Sequence, residues 1–297
     1  MKIKRALAFA KKNKRLAHEL PLAEAPRNAG DEAAVFLDIL GQFVLPDGAL
    51  VVEYGADTGF VTRLLAQYLP ANNGKNIFVY SRFPSNKTID RYLQSNFSGK
   101  FSHSFDLWRH NVKKYRDNIS LYKGDIRNYA LSAGTESYDL AYLGSIPSIG
   151  EIESINHLVL DRLKVGGVVV QSDYFYWDSP WAMLQMEIAS DAFRLVGDLD
   201  QMTTVYVKER DLTEEEISVS PASLKEDDID KYFASIADRY DGARKGVILL
   251  SRLRALNRIR GRKIVRRDLD PVREEFGGSP RVGRYIEAFE KALSLAG

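Results

Sequence analysis

Between residues 50 and 208, short apolar runs rich in β-branched residues alternate with stretches whose apolar positions recur at helical spacing. That alternation predicts a mainly parallel sheet with helices on both faces. Strands are predicted over residues 50–54, 76–80, 119–122, 138–143 and 168–171, followed by 193–197 and 203–208. Only a short Asp-containing turn separates the last two, too little chain for a crossover helix, so they should form an antiparallel hairpin. Ahead of this region Ala33, Val35, Phe36, Ile39, Leu40 and Phe43 repeat at helical spacing before Pro46, and residues 1–49 read as a helical N-terminal extension. Residues 50–210 form the expected α/β domain, the acidic, turn-rich residues 211–228 a linker, and residues 229–297 a helical C-terminal extension.

Composition narrows the chemistry. The 297 residues, 45% hydrophobic and 28% charged, suffice for one large globular domain with an appendage. With no cysteine, disulfides, thiolate zinc sites and cysteine nucleophiles are excluded. A net charge of +2 makes no global case for nucleic acid, yet the basic residues are unevenly placed. Lys2, Lys4, Arg5, Lys11, Lys12, Lys14 and Arg15 surround an apolar patch over residues 6–10 that is too short for a secretory apolar region or a bilayer span. The expectation is a cytoplasmic protein whose first helix is basic on one face. In the tail, Arg252, Arg254, Arg258, Arg260, Arg262, Lys263, Arg266 and Arg267 interleave with Leu253, Leu256, Ile259 and Ile264. Such a segment serves an anionic partner, or it is an amphipathic helix whose arginines face solvent or pair with acids such as Glu274 and Glu275. The neighbouring acids and the lack of a nucleic-acid motif favour the second.

The first strand runs into a glycine turn. Val51 and Val52 precede Glu53, Tyr54, Gly55, Ala56, Asp57, Thr58 and Gly59, after which Val61, Leu64, Leu65 and Tyr68 mark a helix that Thr58 can cap. A dinucleotide site would show G-x-G-x-x-G with phosphate at the helix N-terminus. Here the spacing is G-x-x-x-G, with one acid before the turn and one inside it. Carboxylates repel pyrophosphate but attract ammonium or sulfonium groups and accept hydrogen bonds from an amino acid or ribose. That chemistry suits S-adenosylmethionine, and the segment resembles the first motif of class I S-adenosylmethionine-dependent methyltransferases. A glycine-containing turn in any doubly wound protein gives the same short pattern.

In open α/β sheets ligands sit at the carboxyl ends of the strands. The resemblance implies a Rossmann-like class I methyltransferase sheet, mainly parallel with a C-terminal antiparallel hairpin, and a cofactor pocket built from Glu53, Gly55, Ala56, Asp57, Gly59, Ser81, Asp125, Ile126 and Leu143. At the second strand end such proteins carry an acid for the ribose hydroxyls, where this chain has Ser81. A lost charged hydrogen bond of that kind costs roughly 1.5–3 kcal/mol, about tenfold to a hundredfold in affinity. At the third, Asp125 would meet the adenine amino group while Ile126 packs on the ring. Residues 111–125, 158–167 and 166–174, together with Ser81, Arg82, Phe83 and Pro84, look like the macrocin O-methyltransferase family, which methylates hydroxyls on sugar parts of natural products. The resemblance covers residues 33–208.

That family is magnesium-dependent, with an Asp-x-Asp pair after the fourth strand and a double Asp after the fifth. Here the fourth strand ends Tyr142, Leu143, Gly144, Ser145, Ile146, Pro147, and only Asp173 of the double Asp remains, behind Ser172. One carboxylate plus hydroxyls is a poor magnesium site, so no tightly bound metal is expected. Methylating a hydroxyl without metal needs a general base. Asp173 is the first candidate and His110 the second, although His110 also fits a surface position. Tyr174, Phe175, Tyr176 and Trp177 could floor an acceptor pocket or pack the following helix.

Two functions follow from these residues. The first is an S-adenosylmethionine-dependent O-methyltransferase acting on a small-molecule acceptor, a sugar among the candidates. The second is a binding or scaffold protein of methyltransferase descent, with the lost acids at Ser81, Ser145 and Pro147 recording lost catalysis. A weaker third is RNA modification through the basic tail. A homo-oligomer is left open.

Overall fold

A computed structural model describes the chain apart from residues 1, 21–28, 70–73, 84–86, 98–100, 102, 130–136, 145, 147, 262 and 295–297. The chain divides into two units. The first comprises residues 1–145, 154–172 and 192–212; the second comprises residues 146–153, 173–191 and 213–297.

The first unit holds one seven-stranded sheet built from β1 (Val51–Tyr54), β2 (Ile77–Ser81), β3 (Ile119–Lys123), β4 (Tyr138–Leu143), β5 (Leu163–Gln171), β6 (Phe193–Leu199) and β7 (Thr203–Lys208). Their spatial order is β3-β2-β1-β4-β5-β7-β6. The first five strands pair in parallel, while β7 runs antiparallel to both β5 and β6. The mainly parallel sheet and its closing hairpin are therefore as the sequence predicts. Every residue of β1 and β2 is buried, as expected where a parallel sheet is covered on both faces.

Helices α1 (Lys2–Lys12), α2 (Asp31–Ile39), α3 (Phe60–Ala66), α4 (Lys87–Phe97) and α5 (Ser104–Val112) belong to this unit. The boundary expected at residue 49 is not where the packing divides. Ala6, Leu7, Ala10, Ala33, Phe36 and Leu40 lie in the same apolar cluster as Val51, Ile77, Leu140, Val168 and Val205 of the sheet. Two contacts fix the N-terminal helices there. Gly197, in β6 with φ +153°, lets Leu7 of α1 approach so closely that a Cβ would meet its Cδ2 at 3.2 Å. Asp200, in the hairpin turn with φ +52°, accepts hydrogen bonds from the backbone N–H groups of Glu32 and Ala33, both at 3.0 Å. Its own N–H donates to Glu32 Oε2 at 2.9 Å. A carboxylate at exposed helix-terminal amides supplies the cap that Gly30 cannot. At the far end of the hairpin the buried Lys208 donates to the carbonyls of Leu160, Asp161 and Leu163 at 2.7–3.2 Å.

After α6 (Ile149–Ile155), the second unit contains α7 (Trp181–Ile188), α8 (Glu214–Ser218), α9 (Glu226–Ala237), α10 (Gly242–Arg260), α11 (Arg266–Phe276) and α12 (Pro280–Ser294). The acidic stretch expected as a linker folds into α8 and the start of α9. Thr213 accepts from Glu216 N at 3.2 Å while Glu216 accepts from Thr213 N at 2.8 Å, a reciprocal cap that the acidic composition concealed. The helical tail is as predicted, and several of its arginines are paired. Arg252 bridges α10 to Asp230 of α9 at 2.7 Å, Arg254 and Arg258 share Asp178, and Arg273 reaches Asp270 and Glu290. Among the described residues the ion pairs use these carboxylates, and none is made to Glu274 or Glu275.

Replacing Asp200 by Ala should lower stability by about 1–2 kcal/mol through loss of the cap, and Asp200→Asn, which tolerates positive φ and keeps one acceptor, should lose less. Paired urea titrations would check the order; equal losses would mean that neither the retained acceptor nor the tolerated turn conformation contributes.

Candidate functional site

The carboxyl ends of β1, β2 and β3 gather most of the predicted cofactor residues. Gly55 and Gly59 adopt φ of +82° and +81°, and between them Asp57 is held at +41°, a conformation that costs a residue with a Cβ about 1–2 kcal/mol. Gly59 begins α3 against Trp108, whose Cδ1 would lie 2.9 Å from an added Cβ. Gly144 lies equally close to the Tyr54 carbonyl, with 2.9 Å to an added Cβ, so the end of β4 packs directly on the turn. Leu143 is the register partner of Tyr54. Ala56, Ile126 and Leu143 are buried, and Asp57 is half-buried.

Glu53 behaves differently from the sequence expectation. It is fully buried, and Thr62 of α3 donates to its Oε2 at 2.5 Å. Thr62 in turn accepts from the Trp108 indole N–H at 3.1 Å. The other carboxyl oxygen, Oε1, is buried without a hydrogen-bond partner. Burial outweighs the Thr62 bond and, with the nearby charge of Asp57, raises the Glu53 pKa from 4.5 to about 8. Glu53 is thus largely neutral at pH 7, a prop beneath the turn rather than the carboxylate predicted to attract a cation. Neither Thr62 nor Trp108 is marked as functional by the sequence; the one signal is a Thr among the apolar positions of α3.

At β2 the side chain of Ser81 is buried and accepts from the Phe83 N–H at 3.3 Å. Phe83 has φ of +49° and packs on Phe105 and Trp108, with ring centroids 4.9 and 5.6 Å away. Asp125, beyond β3, is engaged by two arginines: Arg127 through Nε and Nη2, the latter at 2.6 Å, and Arg82 at 2.5 Å. Chiefly the hydrogen bonds from Arg127 hold its pKa down to about 2, so it is ionised. Arg82, the residue after Ser81, is thus turned toward Asp125.

The two remaining candidates are His110 and Asp173. His110 is exposed on α5, with its ring 5.1 Å from that of Phe101, on the wall of a groove of about 690 Å³ lined also by Phe105, Arg109 and Lys113. Asp173 opens a segment of the second unit two residues after β5, with φ of +53° and a pKa raised by burial. Gln171, which sequence reasoning passed over, donates to the carbonyls of Leu143, Gly144 and Ser172 and so ties the ends of β4 and β5. Ser145 and Pro147 lie outside the described residues. Among the described residues no three His, Asp or Glu side chains are grouped to hold a metal ion.

A parallel sheet closed by an antiparallel hairpin, with a glycine turn after β1, is the Rossmann-like fold of class I methyltransferases. Residues 52–174 match the family model described as a methyltransferase domain. Among solved structures the chain is similar to CalS11, a calicheamicin methyltransferase, at 17% identity over 70% of this chain and 91% of that one, with a TM-score of 0.45. It is similar to the O-methyltransferase NovP at 16% identity, covering 70% and 100%, with a TM-score of 0.46. A methyltransferase from Geobacter sulfurreducens matches at 11% identity, covering 69% and 89%, with a TM-score of 0.41. No curated protein matches the sequence.

An acid with a raised pKa keeps in the folded chain a proton that the unfolded chain has released, so its contribution to stability declines as pH rises from about 4.5 to about 8. Glu53→Gln, which has nothing to titrate, should flatten that slope. Relative to the variant, the native chain is expected to lose about 4 kcal/mol across this window, measured by denaturant titration at successive pH values. Parallel slopes would mean that Glu53 is already ionised when folded.

Proposed function

We propose that this protein is an S-adenosylmethionine-dependent methyltransferase that transfers methyl to a hydroxyl of a small acceptor, a sugar or similar metabolite, without a tightly bound metal. The observation that carries the reading is the glycine turn after β1, with Gly55 and Gly59 in the left-handed region, set beside an ionised Asp125 at the end of β3. The fit to the cofactor is chemical: Asp57 and Asp125 are acceptors for amino groups, and Ile126 and Leu143 are apolar. The cofactor, when bound, supplies the electrophilic methyl; Asp57 would hold its amino-acid end, Asp125 its adenine, and Asp173 would take the acceptor's proton. Magnesium fits poorly, because Ser172 precedes the lone Asp173. The sugar O-methyltransferase character of CalS11, described as a TDP-rhamnose 3′-O-methyltransferase, agrees with such an acceptor.

One observation favours a second reading, a binding or scaffold protein of methyltransferase descent: both oxygens of Asp125 are already engaged by arginines, and Ser81 is turned to the Phe83 backbone.

Titration calorimetry with S-adenosylmethionine and S-adenosylhomocysteine separates the two. The enzyme reading expects binding that weakens about tenfold or more in Asp57→Ala. Silence up to millimolar ligand would leave the scaffold. With an acceptor that supports turnover, Asp173→Asn should lower kcat by about 10²–10⁴ while S-adenosylhomocysteine affinity holds, whereas an unchanged kcat would remove Asp173 as the base.

A further inference from the structure

Two phenylalanines stand out in solvent on the first unit: Phe9 of α1 is 49% exposed, and Phe43, in the π-turn that follows α2, is 71% exposed. They line one shallow groove of about 380 Å³ with Ile39, Val44 and the stems of Lys2 and Arg5. Such aromatics normally pack inward; a rimmed apolar patch marks an interaction site. The surrounding charge is predominantly positive. Seven Lys and Arg occur within the first fifteen residues, all exposed, and no acid precedes Glu19, although the whole chain carries only +2. Asp38, next to Ile39, is turned toward Tyr68 and Gln42, and one exposed acid, Asp47, follows Phe43 by four residues. The patch is firmly backed, because Leu7 and Ala10 on the inner face of α1 lie in the core.

We propose that this face docks on an anionic lipid bilayer, with Phe9 and Phe43 entering the boundary between headgroups and acyl chains while the cations engage lipid phosphates. A basic helix with aromatic residues at its apolar edge has the chemistry of interfacial binding, and each cation near an anionic surface adds to it. The attachment is peripheral: no described helix is long and apolar enough to cross a membrane. A second copy fits less well, since a two-fold contact would set this cationic segment against itself. Nucleic acid would use the cations, but Ile39 and Val44 offer its bases no polar partner. The inference does not depend on the methyl-transfer reading.

Flotation of the full chain with vesicles of phosphatidylcholine alone, or mixed with phosphatidylglycerol, tests it. Partitioning should be at least about tenfold stronger on the anionic vesicles and should fall as salt is added. Phe9→Ser with Phe43→Ser should weaken it about tenfold. Thermal melting checks that the variant is folded; if the pair melts early, Phe43→Ser alone carries the comparison. Three outcomes would overturn the proposal: equal partitioning on neutral vesicles, binding indifferent to the phenylalanines, or no vesicle binding alongside either an RNA oligonucleotide complex or a self-associated species that Phe43→Ser dissolves.

Discussion

The structure of the β1 turn depends on a carboxyl group that water cannot reach. Glu53 lies one residue from the end of a fully buried strand, and a buried carboxylate with one free oxygen is costly in a medium of low polarity. The chain meets that cost by keeping the proton and by giving the other oxygen to Thr62, which in turn accepts the Trp108 N–H. This short chain of hydrogen bonds joins β1, α3 and α5 at the point where the backbone passes through three residues of positive φ. Gly59 must be glycine for the same reason, because the indole that serves Thr62 also fills the space a Cβ would need. The turn is therefore shaped from beneath by polar contacts, and its glycines answer to the packing of Trp108 as well as to any ligand above.

Parts of the fold written in local pattern were legible in the sequence. The β-branched runs gave the strands, and the lack of room between residues 199 and 203 gave the hairpin, because both follow from spacing alone. The N-terminal helices were read as separate for want of any local sign that a hairpin-turn carboxylate, 168 positions away from Glu32, would cap α2. The acidic stretch after residue 211 was misjudged because Glu at the third position of a helix looks, by composition, the same as Glu in a solvated linker. Within the candidate site, the types of residue were legible and their charge states were not. Glu53 and Asp125 are both acids in the sequence, yet burial neutralises one while two guanidinium groups hold the other ionised.

The arginines of the second unit show how a conspicuous charge run can be consumed by the fold. Arg254 and Arg258 converge on one carboxylate, Asp178, while each guanidinium also lies within 6 Å of a tryptophan ring, Trp177 and Trp181 respectively. Planar guanidinium groups tolerate this half-buried setting because they are weakly hydrated and stack on aromatic faces. By contrast, the N-terminal cations have no such acids in their own segment. Two clusters of similar composition thus differ physically: one is used to hold helices together, and the other remains directed at solvent.

The same contrast of charge states bears on which ligand the proposed pocket would prefer. S-adenosylmethionine carries a sulfonium charge that its demethylated product lacks, so a pocket rich in carboxylates favours the substrate over the product. Here Glu53 is neutral near pH 7, Ser81 stands where an acid was expected, and Asp125 is more than balanced by Arg82 and Arg127. Asp57 is left as the carboxylate of the turn itself. If the pocket holds the cofactor, little negative charge remains to distinguish the sulfonium from the thioether, and retention of the reactive form must come from shape and from the acceptor rather than from coulombic attraction. With Ser81 in place of an acid and Arg82 paired to Asp125, the strand ends carry less negative charge than the residue types alone suggest.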